Sequence, residues 1–270
     1  MTIDFSDVHA SVTNAMRTHV AAVAARISLS REEGYGEAWG TGTYVLGKLG
    51  TALVSNKHVL VDDIPAFARL AHLPGPTDDY VEIRGATVSV PWPVDAASVT
   101  LAGLPDGCFQ QAVPLNLFDE RFAPLDGEFL FWMGFPGTTA LRNEAVTEGR
   151  KRMTRYKPIL ELPGLGMLSQ VDKGWDGKHD YFVPDKHVAL FYPPIATDAI
   201  TGEPTALPNA KGMSGSFLWD TKVVVSMRDG KPWSPADSRI CGLVWGVLDH
   251  PEVVLATRIE HVRAALPSVL

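Results

Sequence analysis

The chain has 270 residues, 46% hydrophobic and 20% charged, the balance of a soluble globular protein built as one two-lobed unit or one domain with extensions. Its 24 Lys and Arg against 31 Asp and Glu give a net charge of −7, with no long basic block, which argues against nucleic acid or an anionic membrane surface as a partner. The two cysteines, Cys108 and Cys241, cannot make a disulfide framework and have no metal-ligand spacing; with no signal-like apolar core and no bilayer-length apolar run, the expectation is a cytoplasmic protein with reduced thiols and no membrane span.

Residues 6–26 read as an amphipathic helix. Val8, Val12, Met16, Val20 and Val23 recur at three- and four-residue spacing behind a potential cap, Ser6. From Gly34 the pattern changes to short β-rich runs punctuated by Gly, Pro and Asp. Strands are expected at 38–46, 51–55, 80–90, 98–101, 129–134, 145–153, 181–192, 216–219, 222–227, 240–247 and 253–257. Many short strands with turns between them predict an all-β sandwich or barrel pair. A boundary between lobes fits residues 114–126, which show no clear period, and a closing helix fits 258–266, ended by Pro267. Two long irregular stretches, 158–180 and 193–209, fall in the second lobe, where loops of that length are usually functional.

The chemistry concentrates in Asn209-Ala-Lys-Gly-Met-Ser-Gly-Ser-Phe-Leu-Trp219. Ser214 stands between two glycines, Gly212 and Gly215, at the start of an apolar run, so its hydroxyl can sit on an exposed tight turn. The N–H groups of Gly212 and Ser214 can then point to one spot and bind an oxyanion. Such a turn is common, and by itself it reads equally as a hairpin with a capping serine. A base is needed, because a protonated hydroxyl is a poor nucleophile. His58 supplies a candidate at the end of the apolar run Thr51-Ala-Leu-Val-Ser-Asn-Lys-His-Val-Leu60. A carboxylate must hold the imidazole tautomer. Asp95, just before an apolar strand and flanked by small residues, is a better candidate than Asp62 or Asp63 in their polar turn. The fifth position of the motif that Gly212 opens is Ser216, which departs from the nucleophile elbow of α/β-hydrolases, and the early strands do not alternate with helices. His179, His187, His250 and His261 show no paired metal-ligand spacing.

The order His58, Asp95, Ser214, with these contexts, resembles the trypsin-like (chymotrypsin-fold) serine peptidases, nearest to their disulfide-free bacterial and viral branch. Gly40-Thr-Gly-Thr-Tyr-Val45, Met133-Gly-Phe-Pro136, Ile240-Cys-Gly-Leu-Val-Trp-Gly246 and the helix after Ala256-Thr-Arg-Ile259 are similar to segments of that family. The resemblance implies two six-stranded antiparallel β-barrels with the site in the cleft between them. The units would be an added N-terminal helix at 1–26, a first barrel at 27–120, a second at 121–257 and a C-terminal helix at 258–270. It further implies hydrolysis of peptide bonds through an acyl-enzyme on Ser214, with an oxyanion hole at Gly212 and Ser214, no cofactor and no metal. Pro208, Val244, Gly246 and Val254 would line an apolar or small-residue pocket. The partner would be a polypeptide substrate, with a regulatory protein as a further expectation. Met213 and Ser216 depart from the family pattern: the position of Met213 often carries an Asp that pairs with a new N-terminus during zymogen activation, a route closed here. The competing class is a trypsin-fold binding or scaffold protein without turnover.

Overall fold

A computed structural model describes residues 5–30, 36–61, 68–73, 79–83, 88–104, 106, 108–137, 142–143, 147–148, 151–152, 155–156, 164–248 and 253–270. The chain opens with helix α1 (Phe5–Ala21), then strands β1 (Ala24–Ser30), β2 (Gly36–Gly47) and β3 (Gly50–Ser55), the short helix α2 (Lys57–Leu60), and strands β4 (Ala68–Leu73), β5 (Asp79–Ile83), β6 (Val88–Val90), β7 (Ala96–Thr100) and β8 (Val113–Pro114). The second half holds β9 (Leu130–Gly134), the two-residue strands β10 (Arg142–Asn143), β11 (Thr147–Glu148), β12 (Lys151–Arg152) and β13 (Arg155–Tyr156), then β14 (Leu165–Ser169), β15 (His187–Phe191), β16 (Ile195–Thr197), β17 (Pro204–Ala206) and β18 (Phe217–Asp220). Helix α3 (Val223–Arg228), β19 (Arg239–Leu248), β20 (Val253–Arg258) and α4 (Ile259–Ala265) complete it.

Two curled antiparallel sheets form the two lobes, the all-β architecture expected of trypsin-like barrels. The first sheet runs β5-β4-β1-β2-β3-β7-β6, with β8 added parallel to β2, and so holds eight strands. The second runs β14-β9-β18-β19-β20-β15 and holds six. A bridge between Val171 and Leu190 joins its two outer strands and curls the sheet back on itself.

Each lobe has its own apolar interior. Tyr44, Leu53, Leu60 and Leu73 are fully buried in the first, and Leu130, Trp132, Leu218 and Val254 in the second. A third cluster lies across the two lobes and is covered by α1, whose Val12, Met16 and Val20 meet Phe131, Trp219 and Val262. That is the stripe the helical spacing predicts, and each of these side chains stabilises the fold by about 1.5–3 kcal/mol through burial. The helix stops at Ala21, earlier than expected, and residues 24–30 enter the first sheet as β1 between β2 and β4.

Two strand expectations change. Residues 222–227 form most of α3, because the buried Glu128 carboxylate accepts the Val224 and Val225 N–H groups and caps the helix start. In 181–192 only His187–Phe191 is strand; the preceding residues form turns. The expected strand at 145–153 lies partly outside the described residues. Among the described residues no helix is long and apolar enough to cross a membrane.

His72 on β4 is pushed down to about 4 by burial and by the neighbouring Arg26 cation, while the Ser28 hydroxyl lies 2.7 Å from its Nε2. The unfolded chain therefore binds a proton near pH 6.5 that the folded chain refuses, and stability falls as pH drops from about 6.5 to about 4. The loss reaches up to about 3 kcal/mol. Urea midpoints at pH 7 and pH 4.5 should differ more for the native chain than for His72→Gln, and an equal pH dependence in the two would refute this origin.

Candidate active site

The end of β3 and the loop before β7 bring His58 and Asp95 together. Asp95 N–H and Val94 N–H both bond to the Pro91 carbonyl in a tight turn, with Asp95 at φ +49. This turn is clamped onto the start of α2. Lys57 N–H and the Asn56 side-chain amide donate to the Asp95 carbonyl at 3.2 and 2.9 Å. His58 N–H donates to Asp95 Oδ1 at 3.1 Å, and Asp95 Oδ2 lies 2.6 Å from His58 Nδ1. Both carboxylate oxygens are thus engaged by the same histidine. A carboxylate can only accept, so it holds the ring proton on Nδ1 and leaves the Nε2 lone pair outward. Exposure fits those roles: the imidazole is 38% exposed and the carboxylate 11%.

The serine arrives from the second lobe. Ser214 C=O accepts the Thr41 N–H of β2 at 2.8 Å, which ties the serine turn to the strand that pairs with β3. Gly215 makes that contact possible. Its φ is +92, and a Cβ there would stand 1.9 Å from the Thr41 carbonyl and 2.0 Å from Ser55 Oγ, three residues before His58. The Ser214 hydroxyl itself donates to the Trp245 carbonyl at 3.1 Å, and His58 Nε2 has no partner among the described residues. The three predicted groups therefore share one seam between the lobes, with the hydroxyl turned to β19 in the resting state.

Backbone carbonyls around the turn decide where its amides point. Lys211 C=O accepts Gly137 N–H at 2.8 Å, Gly212 C=O accepts the Thr41 hydroxyl at 2.8 Å, and Met213 C=O accepts both Ser216 N–H and the Ser216 hydroxyl. In a trans peptide the N–H points opposite the C=O. Anchoring Lys211 C=O to Gly137 therefore turns Gly212 N–H away from that anchor. Met213 N–H is used by Ala210, whereas Gly212 and Ser214 N–H have no acceptor among the described residues. Unpaired amides in such a turn are the kind of donor an oxyanion hole uses. Gly212, at φ +101, has Phe135 O only 2.6 Å from where a Cβ would be, so a larger residue would push the turn off its anchor.

The pocket candidates separate. Val244 and Val254 are buried in the apolar interior with Met213, Ala210 and Tyr192. Pro208 and Gly246 are only partly buried, and a Cβ on Gly246 would meet nothing within 4 Å. Open space therefore adjoins Trp245, which sits at a bulge in the pairing of β19 with β20. Thr41, Asn56, Gly137 and Trp245 carry hydrogen bonds of the site that the sequence reading gave no role. The Gly40-Thr-Gly segment was the available signal for Thr41; the others depend on contacts between distant segments. Among the described residues no three His, Cys, Asp or Glu side chains converge where they could hold a metal.

No protein-family model matches the chain, and no curated protein matches it in sequence. Among solved structures it is similar to the Rv3671c protease from M. tuberculosis in its active form, with 16% identity, a TM-score of 0.48 and coverage of 96% of this chain and 86% of that one. It is also similar to Deg5, with 14% identity, a TM-score of 0.46 and coverage of 99% and 96%. At identities this low, the chemistry has to be read from the side chains.

The Gly215 contact is directly testable. Gly215→Ala combines backbone strain with a steric clash against Thr41 and Ser55, and should destabilise the protein by about 3 kcal/mol or more. Chemical denaturation measures it, and an unchanged midpoint would show that the seam between the lobes is loose.

Proposed function

We propose that the chain is a serine endopeptidase that hydrolyses peptide bonds through an acyl-enzyme. The observation that carries the reading is the 2.6 Å His58–Asp95 contact, with its outward Nε2, on the same seam as a serine whose own amide and that of Gly212 are unpaired among the described residues. The Ser214 hydroxyl leaves the Trp245 carbonyl by rotation about its side chain and turns to His58 Nε2. Nε2 takes the proton as Oγ bonds to the substrate carbonyl carbon, and the carbonyl oxygen becomes an oxyanion held by Gly212 and Ser214 N–H. His58, now an imidazolium stabilised by Asp95, returns the proton to the departing amine as the C–N bond breaks. Water, deprotonated by the same nitrogen, then attacks the ester, and its collapse releases the acid and restores the serine.

Pro208 and Gly246 border the space that would take the substrate side chain, while Val244 and Val254 belong to the apolar interior. None of the four is charged, which favours apolar or small side chains. The position of the hydroxyl on Trp245 favours one refinement: the described state is a resting one, and a polypeptide substrate or a regulatory protein completes the nucleophile–base contact on binding. A cytoplasmic setting follows from the free cysteines Cys108 and Cys241, and the net negative charge speaks against nucleic acid as a partner.

A fluorophosphonate probe should label the native chain at Ser214 and fail on Ser214→Ala. Ser214→Ala and His58→Ala should each lower peptide turnover by about 10⁶-fold, and Asp95→Asn by about 10⁴-fold. A loss below tenfold for any of them would remove that residue from its role. Absence of labelling with turnover intact would end the serine mechanism.

A further inference from the structure

His187 takes no part in these steps, yet it touches the supports of Asp95 and Ser214. It is the first residue of β15 in the second lobe and is fully buried. Its Nδ1 accepts the Val183 N–H at 3.0 Å, which places the ring proton on Nε2. Nε2 then donates to the Pro93 carbonyl at 2.7 Å, two residues before Asp95 and in the other lobe. Thr257, its ladder partner on β20, donates from its hydroxyl to the adjacent Val94 carbonyl at 3.1 Å. The ring also packs against Trp92 and Trp245, at centroid distances of 4.8 and 5.2 Å, and Trp245 is the residue whose carbonyl holds the Ser214 hydroxyl.

Building on the serine-peptidase reading, we propose that His187 is a positioning residue: in its neutral form it latches the Asp95 loop to the second lobe, and a proton on Nδ1 releases the latch. The protonated ring has two N–H donors, so Nδ1 can no longer accept from Val183, and the amide and the ring proton face each other. The surroundings offer the cation little. Lys186 precedes the ring, Arg258 on β20 donates to the His187 carbonyl, and His261 on α4 lies close enough to oppose the charge. Asp185 presents its backbone carbonyl to His261, and the Asp95 carboxylate is engaged by His58. Burial draws His187 below the ordinary imidazole value, helped by these cations and opposed by the Pro93 bond. The latch is therefore closed at neutral pH and opens as pH falls below the usual imidazole range.

Tryptophan emission tests the latch without reference to catalysis, because an imidazolium quenches indoles in contact with it. Between pH 8 and pH 4.5 the native chain should show a reversible quench beyond the part set by the separate His19–Trp219 contact, and His187→Gln should lack that added component. Fluorophosphonate labelling over the same range tests the consequence. A single essential base gives a slope of about one in log rate against pH on the acid side. The native chain should steepen toward a slope of about two below the emission transition. His187→Gln, which retains a donor for Pro93 and cannot titrate, should keep the shallow slope with near-native labelling at pH 8. His187→Phe, which has no donor, should label roughly tenfold more slowly there.

A quench as large in His187→Gln as in the native chain, or equal slopes in the two, overturns the proposal. Should the variants fail to fold, a native slope of about one throughout overturns it equally. If the native chain is never labelled, the peptidase reading fails and the emission transition alone decides whether the latch exists.

Discussion

The hydrogen bond from Thr41 N–H to the Ser214 carbonyl is the constraint on which the site depends. It joins the strand that aligns β3, and so His58, to the turn that presents the nucleophile. Strand β2 and the serine turn can approach that closely only because residue 215 has no Cβ, and the hydroxyl of the same Thr41 secures the neighbouring Gly212 carbonyl. One residue of the first lobe thus fixes two successive features of the second. It also accepts the Phe135 N–H at its hydroxyl, so the strand end at β9 is held in the same place. Lobe orientation and anion-site geometry are consequently one problem: a shift between the lobes would move the serine and its amides together, relative to the imidazole.

The two halves of the site are stabilised by different physics. On the histidine side, charge and polar contacts dominate. The Asp95 carboxylate and carbonyl take four hydrogen-bonding contacts from Asn56, Lys57 and His58, and the loop is further held by His187 and Thr257 across the seam. On the serine side, the Met213 side chain is buried among Trp132, Leu218 and Val244, and the polar contacts come from backbone groups and neutral hydroxyls. An acid at position 213 would meet an apolar interior there and would need a cation to enter it. Packing of an apolar side chain therefore does the work that an ion pair performs where that position is acidic.

Much of this was legible in the sequence, for identifiable reasons. The α1 stripe shows because helix period and burial coincide at Val12, Met16 and Val20. Ser214, His58 and Asp95 stand out as candidates because each sits beside a strand of clear apolar character. What escaped are features set by partners far along the chain. Val223–Arg228 is β-rich in composition, yet the Glu128 carboxylate from nearly a hundred residues away caps it into a helix. Val254 has the right residue type to line a pocket, but sheet pairing turns it into the interior. The supports at Gly137 and Trp245 act through backbone atoms, whose positions residue identity does not encode.

The resting hydroxyl shows how these supports bear on activity. Ser214 Oγ is bonded to Trp245 O, a carbonyl of β19 beside the open space at Gly246. That bond is a single neutral interaction, worth about 1 kcal/mol net, so it biases the side chain without locking it. A substrate whose backbone engages the same stretch of β19 would compete for the carbonyl and free the hydroxyl toward His58. Occupancy of the cleft and assembly of the nucleophile would then be coupled through one oxygen atom. On the peptidase reading, with an apolar residue at 213, such coupling would restrain hydrolysis without cleavage of the chain itself.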